Sequence, residues 1–185
     1  MSSPSACVSL VAPSLDATHA VAGALASVSR AGDVFVLAGE MGAGKTAFAQ
    51  GFGRALGVTE PITSPTFTLV HTYDTPRGPL HHADIYRLEQ LAEVADLALS
   101  ELAEFNGIVL VEWGDVVSAA LGEHLEVRLD IVDDDEVAEE PDDAIETPPT
   151  SRQIRITPSG PSWAKRWALI TERIASLDLA GTAPC

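Results

Sequence analysis

One short segment, at residues 39–46, restricts the fold of this chain more than any other. It reads Gly-Glu-Met-Gly-Ala-Gly-Lys-Thr and matches the pattern G-x-x-x-x-G-K-[ST]. An apolar run at residues 34–38 precedes it, and residues 47–50 are typical of a helix start. This context favours a phosphate-binding loop over a chance glycine-rich turn, because the motif binds phosphate only where a strand ends and the free N–H groups of a helix start face the anion.

The residues of this loop have separate expected roles. Its glycines let backbone amides curl around a β-phosphate. Lys45 is expected to reach the β- and γ-phosphate oxygens, and the Thr46 hydroxyl is placed to hold Mg²⁺. The loop therefore predicts binding of a nucleotide together with a divalent cation.

The rest of the chain alternates between helical and strand patterns, and its 185 residues fit one domain with a real core. Glycine, proline and capping residues mark the boundaries. Helices are predicted at residues 17–28, from the loop to residue 56, and at 88–105, 116–121 and 163–177. Strands are predicted within residues 1–13 and at 34–38, 67–73, 80–86, 108–111, 125–131 and 153–156.

The charge of the chain is strongly negative, at −16. An anionic surface repels phosphates, so broad direct contact with RNA or DNA is disfavoured. Residues 133–150 alone hold nine acidic residues, three prolines and no basic residue. This composition predicts a disordered loop, which we favour over a metal-binding role, because such a run repels itself and buries little apolar surface.

The two cysteines, Cys7 and Cys185, lie near opposite ends of the chain. Their spacing indicates neither a disulfide framework nor a metal site, which suits a reducing cytosol. The first residues lack the order of a signal peptide, and no apolar stretch approaches the roughly 20 residues of a membrane span. We therefore expect a cytoplasmic protein that does not associate with membranes.

A nucleotide site needs a second carboxylate for its metal ion, usually at the end of a neighbouring buried strand. Residues 108–111, Ile-Val-Leu-Val, are typical of a strand buried on both faces, and Glu112 follows directly. Ligands bind at the carboxyl edge of open α/β sheets. Glu112 is therefore the candidate second metal ligand, and the alternative is an ordinary acidic residue leaving a strand.

Three further features leave more than one interpretation open. His82, Asp84 and Tyr86 share one face of a strand. Asp84 could orient the attacking water or bind the metal through water, but a polar strand face is an equal alternative. Residues 64–68 lie where a switch segment would follow the loop helix, although a β-branched strand entrance is favoured on spacing alone. Trp113 could pack over the site or mark a partner surface, but core packing is favoured.

Taken together, four segments in this order and spacing resemble the TsaE family, the bacterial P-loop ATPases of tRNA threonylcarbamoyladenosine synthesis. The resemblance is strong over residues 39–115 and looser on both flanks. The segments are the loop at 39–46, Ser-Pro-Thr-Phe-Thr-Leu-Val at 64–70, the His82-x-Asp84-x-Tyr86-Arg87-Leu88 run, and Val111-Glu112-Trp113.

The resemblance implies a three-layer α/β P-loop NTPase-like domain with a mostly parallel central sheet. It implies ATP and Mg²⁺ as cofactors, with Thr46 and Glu112 as metal ligands and Lys45, Asp84 and Glu112 as catalytic residues. Residues 64–68 would be the switch loop, and residues 14–18 one edge of the adenine pocket. The residues expected to contact ATP are Glu40, Met41, Gly42, Ala43, Gly44, Lys45, Thr46, Ala47, Asp84 and Arg152.

Three departures from the family pattern are visible. Ala47 removes a hydroxyl that members often carry after the loop threonine, and Ala83 replaces a common aromatic residue. The acidic segment at 133–150 lengthens the connection that precedes Arg152.

The resemblance also implies a supporting role, in which ATP hydrolysis resets a complex of the partner proteins TsaD and TsaB, with tRNA contacted only indirectly. Two alternatives stay open: a small-molecule P-loop kinase, and a nucleotide-gated binding module with negligible turnover. The kinase ranks lower because no arginine-rich lid is evident among eleven basic residues. A GTPase is disfavoured because no [NT]-K-x-D motif follows the loop.

Overall fold

The computed structural model describes residues 6–86, 97–132 and 151–185. Within these ranges eight strands form one sheet, with helices on both of its faces. The strands are β1 (Val8–Ala12), β2 (Val34–Ala38), β3 (Val70–Tyr73), β4 (Leu80–Asp84), β5 (Ile108–Glu112), β6 (His124–Ile131), β7 (Arg152–Ser159) and β8 (Ala183–Pro184). The helices are α1 (Leu15–Val28), α2 (Lys45–Leu56), α3 (Leu99–Glu104) and α4 (Pro161–Ala175), with a 3₁₀ helix at Gly114–Ala120.

The sheet is mixed, with strand order β3-β4-β5-β2-β6-β7-β1-β8. Its central strands β4, β5, β2 and β6 run parallel, whereas β3, β7, β1 and β8 pair antiparallel with their neighbours. The expectation of a mostly parallel sheet is therefore confirmed for the centre only. The short turn between β3 and β4 accounts for one antiparallel edge, because parallel neighbours need a crossover connection of a dozen or more residues.

The three-layer arrangement follows from the alternation of side chains along the central strands. In β2, Phe35 and Leu37 face one apolar cluster, which contains residues of α1, α2 and α4. Val34 and Val36 face a second cluster on the opposite side, to which α3 contributes. Strands β2, β4 and β5 are buried along their whole length, as expected where helices cover both faces.

The predicted elements are largely present, with shifts at their ends. Helix α1 begins two residues early because the Ser14 hydroxyl accepts a hydrogen bond from Ala17 N at 3.2 Å. The strand predicted at 67–73 is shorter, and the helix predicted at 116–121 is a 3₁₀ helix. Of the helix predicted at 88–105 only α3 is described, and the acidic loop predicted at 133–150 lies outside the described residues, as does Arg87. None of the described helices is long and apolar enough to cross a membrane.

The expectation that the two cysteines form no disulfide framework is wrong, because Cys7 and Cys185 form a disulfide. Strand β8 pairs antiparallel with β1, and this pairing brings the two Cα atoms within 5.3 Å of each other. The two residues are 178 positions apart in the sequence. Spacing alone therefore gave no sign of the contact, which depends on tertiary strand pairing.

Candidate functional site

The glycine-rich loop connects β2 to α2, as the motif predicts. At Gly39 the backbone φ is +129°, and a Cβ there would overlap the carbonyl oxygen of Leu129. Gly44 precedes α2 with φ +104° and offers no side-chain cap to the helix. The first N–H groups of α2 therefore have no capping side chain and are available to an anion.

Lys45 is the first residue of α2, and its ammonium lies against the first two residues of this loop. Its Nζ donates to the carbonyl oxygens of Gly39 at 2.7 Å and Glu40 at 2.8 Å. The same atom lies 3.6 Å from the centre of the Trp113 ring, within cation–π range. Burial lowers the pKa of Lys45, and nearby carboxylates, that of Glu112 foremost, oppose this effect.

Thr46 and Glu112 are in direct contact. Strand β5 runs parallel to β2 with Glu112 beside Leu37, so its carboxylate lies next to the start of the loop. The Thr46 hydroxyl donates to Glu112, with Oγ1 2.9 Å from Oε1 and 3.2 Å from Oε2. Glu112 is only 3% exposed, and its Oε1 also accepts a hydrogen bond from His82 Nε2 at 2.8 Å.

This pair of oxygen donors fits Mg²⁺, which is usually held by one or two protein oxygens together with substrate phosphates and water. No group of three or more histidine, cysteine or acidic side chains among the described residues could hold a metal by itself. Thr46 and Glu112 therefore suit an ion that arrives with phosphate oxygens as its other ligands.

Asp84 stands beside Glu112 at the same edge of the sheet, because β4 and β5 pair in parallel with these two residues in register. Its Oδ2 accepts hydrogen bonds from Ser64 Oγ at 2.6 Å and Thr66 Oγ1 at 2.7 Å, and its Oδ1 accepts one from Tyr86 N at 3.0 Å. The segment proposed as a switch is therefore tied to a buried carboxylate.

A pocket of about 420 Å³ lies between the loop and this sheet edge. Most of the predicted site residues line it. Glu40 and Ala43 belong to the loop but do not line the pocket, and residues 14–18, expected near adenine, do not line it either. The predicted residues that line it are Met41, Gly42, Gly44, Lys45, Thr46, Ala47, Asp84 and Glu112.

Arg152 contacts the backbone of the loop and is not among the residues that line the pocket. Its Nε donates to the Ala43 carbonyl at 2.8 Å, and its Nη2 donates to the Gly42 carbonyl at 3.3 Å. It is the first residue of β7, which pairs with β6 beside β2. In this structure the arginine contacts the loop backbone, and its expected contact with the nucleotide stays a prediction.

Two aromatic residues of the pocket were not predicted as site residues. Trp113 and Tyr86 both line the pocket, and their rings pack at a tilt of 43° with centres 4.8 Å apart. The φ of Trp113, +64°, is a true outlier for a bulky side chain. The expectation that Trp113 packs in the core is met only in part, since the ring also faces Lys45. The available signal was proximity in sequence, because Trp113 directly follows Glu112 and Tyr86 lies two residues after Asp84.

The order of strand, loop and helix, with the Glu112 carboxylate at the end of the neighbouring strand β5, is typical of P-loop proteins. Fold and site together define a P-loop NTPase-like α/β domain. Within that class the chain belongs to the TsaE family, because the family model described as "Threonylcarbamoyl adenosine biosynthesis protein TsaE" matches residues 12–140.

Individual relatives agree with this assignment and confirm the resemblance seen in the sequence. A Bacillus subtilis tRNA threonylcarbamoyladenosine biosynthesis protein TsaE is 41% identical over 120 residues, covering 64% of this chain and 75% of the relative. A Streptomyces coelicolor protein of the same name is 38% identical over 143 residues, covering 76% and 89%. The crystal structure of Bacillus subtilis YdiB superposes with a TM-score of 0.68 at 28% identity, over 96% of this chain and 99% of that one.

Proposed function

We propose that this protein binds ATP with Mg²⁺ and hydrolyses it in support of tRNA N6-threonylcarbamoyladenosine formation. The observation that carries the proposal is the meeting of the Thr46 hydroxyl and the Glu112 carboxylate inside the pocket, at the start of α2. Family membership supplies the pathway, because the matching relatives are named for this modification.

The chain's own groups would act mainly by positioning and by stabilising charge. Thr46 and Glu112 would hold Mg²⁺, which neutralises charge on the β- and γ-phosphate oxygens. The N–H groups at the start of α2 bind the phosphates, and Lys45 places its ammonium beside them. The low exposure of Lys45 and Glu112 strengthens these electrostatic interactions.

Asp84 would help to position the attacking water. It is 3% exposed and lines the pocket. The hydroxyls of Ser64 and Thr66 donate hydrogen bonds to one of its oxygens. Loss of the γ-phosphate near Asp84 would therefore change the contacts of residues 64–68. This coupling suits a protein in which hydrolysis of ATP changes the contacts with partner proteins.

The partners we propose are TsaD and TsaB, with tRNA reached only through their complex. The net charge of −16 supports contact through proteins, since phosphate-rich surfaces would be repelled. Hydrolysis of ATP would reset the complex between turnovers.

An assay with γ-labelled ATP, with and without purified TsaD and TsaB, tests this proposal. We expect label in inorganic phosphate and faster release with the partners. Label in a metabolite would instead indicate a kinase, and tight binding without turnover, even with the partners, would indicate a binding module.

Lys45→Ala is expected to weaken or abolish ATP use while the far-UV circular dichroism spectrum stays unchanged. Lys165→Ala is the matched control, because Lys165 is the other lysine of the chain and is exposed on α4. Normal hydrolysis by the Lys45 variant would refute the assignment of the site.

A further inference from the structure

His82 is a fully buried histidine that lies directly beneath a residue of the candidate site, Glu112. It lies on β4, two residues before Asp84, and its exposure is 0%. Its Nε2 lies 2.8 Å from Oε1 of Glu112. Oε1 also accepts the hydrogen bond from the Thr46 hydroxyl, so the imidazole and the threonine share one carboxylate oxygen.

The chemistry of this contact fixes the direction of the hydrogen bond. An ionised carboxylate has only acceptors, so Nε2 must carry the proton and donate it to Glu112. The other ring nitrogen, Nδ1, is buried and has no hydrogen-bond partner among the described residues. The imidazole therefore makes its polar contact with Glu112.

Such a residue is a poor choice for packing alone. Burying an imidazole with one nitrogen unpaired costs free energy, and leucine would fill a similar space without that cost. The advantage of histidine lies in the hydrogen bond that it offers to the carboxylate. Carboxylates that bind metals are commonly held by such outer partners, whose loss weakens metal binding about 10–100-fold.

We propose that His82 is a positioning residue that orients the Glu112 carboxylate toward Mg²⁺. This inference rests on the proposed function, because it assumes that Glu112 and Thr46 hold the ion. His82 itself does not line the pocket and does not contact the nucleotide space. It acts by holding one oxygen of Glu112, which leaves the carboxylate one orientation relative to Thr46.

The adjacent His81 provides a matched control. It is also buried, at 7% exposure, but its Nδ1 contacts Thr72 Oγ1 at 2.9 Å, on the β3 side of the strand. Neither His81 nor Thr72 lines the pocket. His81→Leu therefore makes the same chemical change one residue away from His82→Leu.

The test is isothermal titration calorimetry of ADP binding, first in EDTA and then over a range of Mg²⁺ concentrations. We expect His82→Leu to bind ADP normally in EDTA but to need about 10–100-fold more Mg²⁺ for half of the metal-dependent gain in affinity. His82→Gln, whose amide can donate from nearly the same place, should restore most of the Mg²⁺ response. His81→Leu should behave as the wild type.

The outcomes separate this inference from the proposed function. If the wild type shows no Mg²⁺-dependent nucleotide binding, the proposed function fails. If the wild type responds and His82→Leu responds equally, only the role of His82 is refuted. Should His82→Leu not fold, His82→Gln and His82→Asn keep the test open, because asparagine is too short to reach Glu112. Equal Mg²⁺ responses from those two would overturn the inference, as would ¹⁵N NMR that places the His82 proton on Nδ1.

Discussion

Replacing Thr46 by valine tests the site in two independent ways. Valine has the shape of threonine without the hydroxyl, so the change removes the hydrogen bonds at 2.9 and 3.2 Å from Thr46 Oγ1 to the two oxygens of Glu112. Glu112 is 3% exposed, so solvent cannot easily replace the lost donor. A hydrogen bond to a charged group contributes about 1.5–3 kcal/mol, and that loss is the expected fall in the free energy of unfolding.

For a domain of this size, such a fall lowers the melting temperature by roughly 3–12 °C. Differential scanning calorimetry of the nucleotide-free protein measures this fall in melting temperature. The second expected effect is loss of the gain in ADP affinity that Mg²⁺ provides, and calorimetric titration with ADP and Mg²⁺ measures it. Thr46→Ser should retain both properties. Thr171→Val is the control, because the Thr171 hydroxyl bonds to the backbone of its own helix at 3.0 and 3.1 Å. A Thr46→Val protein with wild-type melting and wild-type Mg²⁺ response would refute the reasoning.

Two further substitutions test the surroundings of the loop. Arg152→Lys replaces a guanidinium that donates hydrogen bonds to two loop carbonyls by a single ammonium group. Nucleotide affinity measured by calorimetry should therefore fall about 10–100-fold, and the Mg²⁺ requirement should be unchanged. Arg155→Lys, on the exposed side of the same strand, should have no effect, and equal affinities for the two variants would contradict the role of Arg152. Cys185→Ser opens a loop of 178 residues and should lower stability by about 2–4 kcal/mol. Reductant should lower the melting temperature of the wild type and leave that of Cys185→Ser unchanged, whereas a wild type that ignores reductant would exclude the disulfide in solution.

The centre of the fold could be predicted because local patterns determine it. The apolar runs of β2 and β5 and the glycine-rich motif between β2 and α2 are each a single short stretch of sequence. Each stretch therefore predicts its own local structure without reference to distant residues. Glu112 followed from the same logic, because the end of a buried parallel strand lies at the edge where ligands bind.

The outer strands and several contacts could not be predicted, because they depend on pairing between distant segments. Nothing local in β1, β7 or β8 specifies an antiparallel partner, and the disulfide depends on that pairing. The hydrogen bond from Arg152 to the loop depends on where β7 lies relative to the loop. His82 was visible in the sequence, but its hydrogen bond to Glu112 appears only when β4 and β5 are placed in register.

The contact between Lys45 and Trp113 gives this pocket an optical property. Indole emission is sensitive to a cation on the ring face, and in this structure the Lys45 ammonium lies 3.6 Å from the ring centre. Trp163 and Trp167 both belong to α4, and Trp163 packs against Phe35 with the Arg166 guanidinium 4.1 Å from its ring centre, so its cation is a different one. Fluorescence from the unlabelled chain would thus report when the lysine leaves the indole for a phosphate.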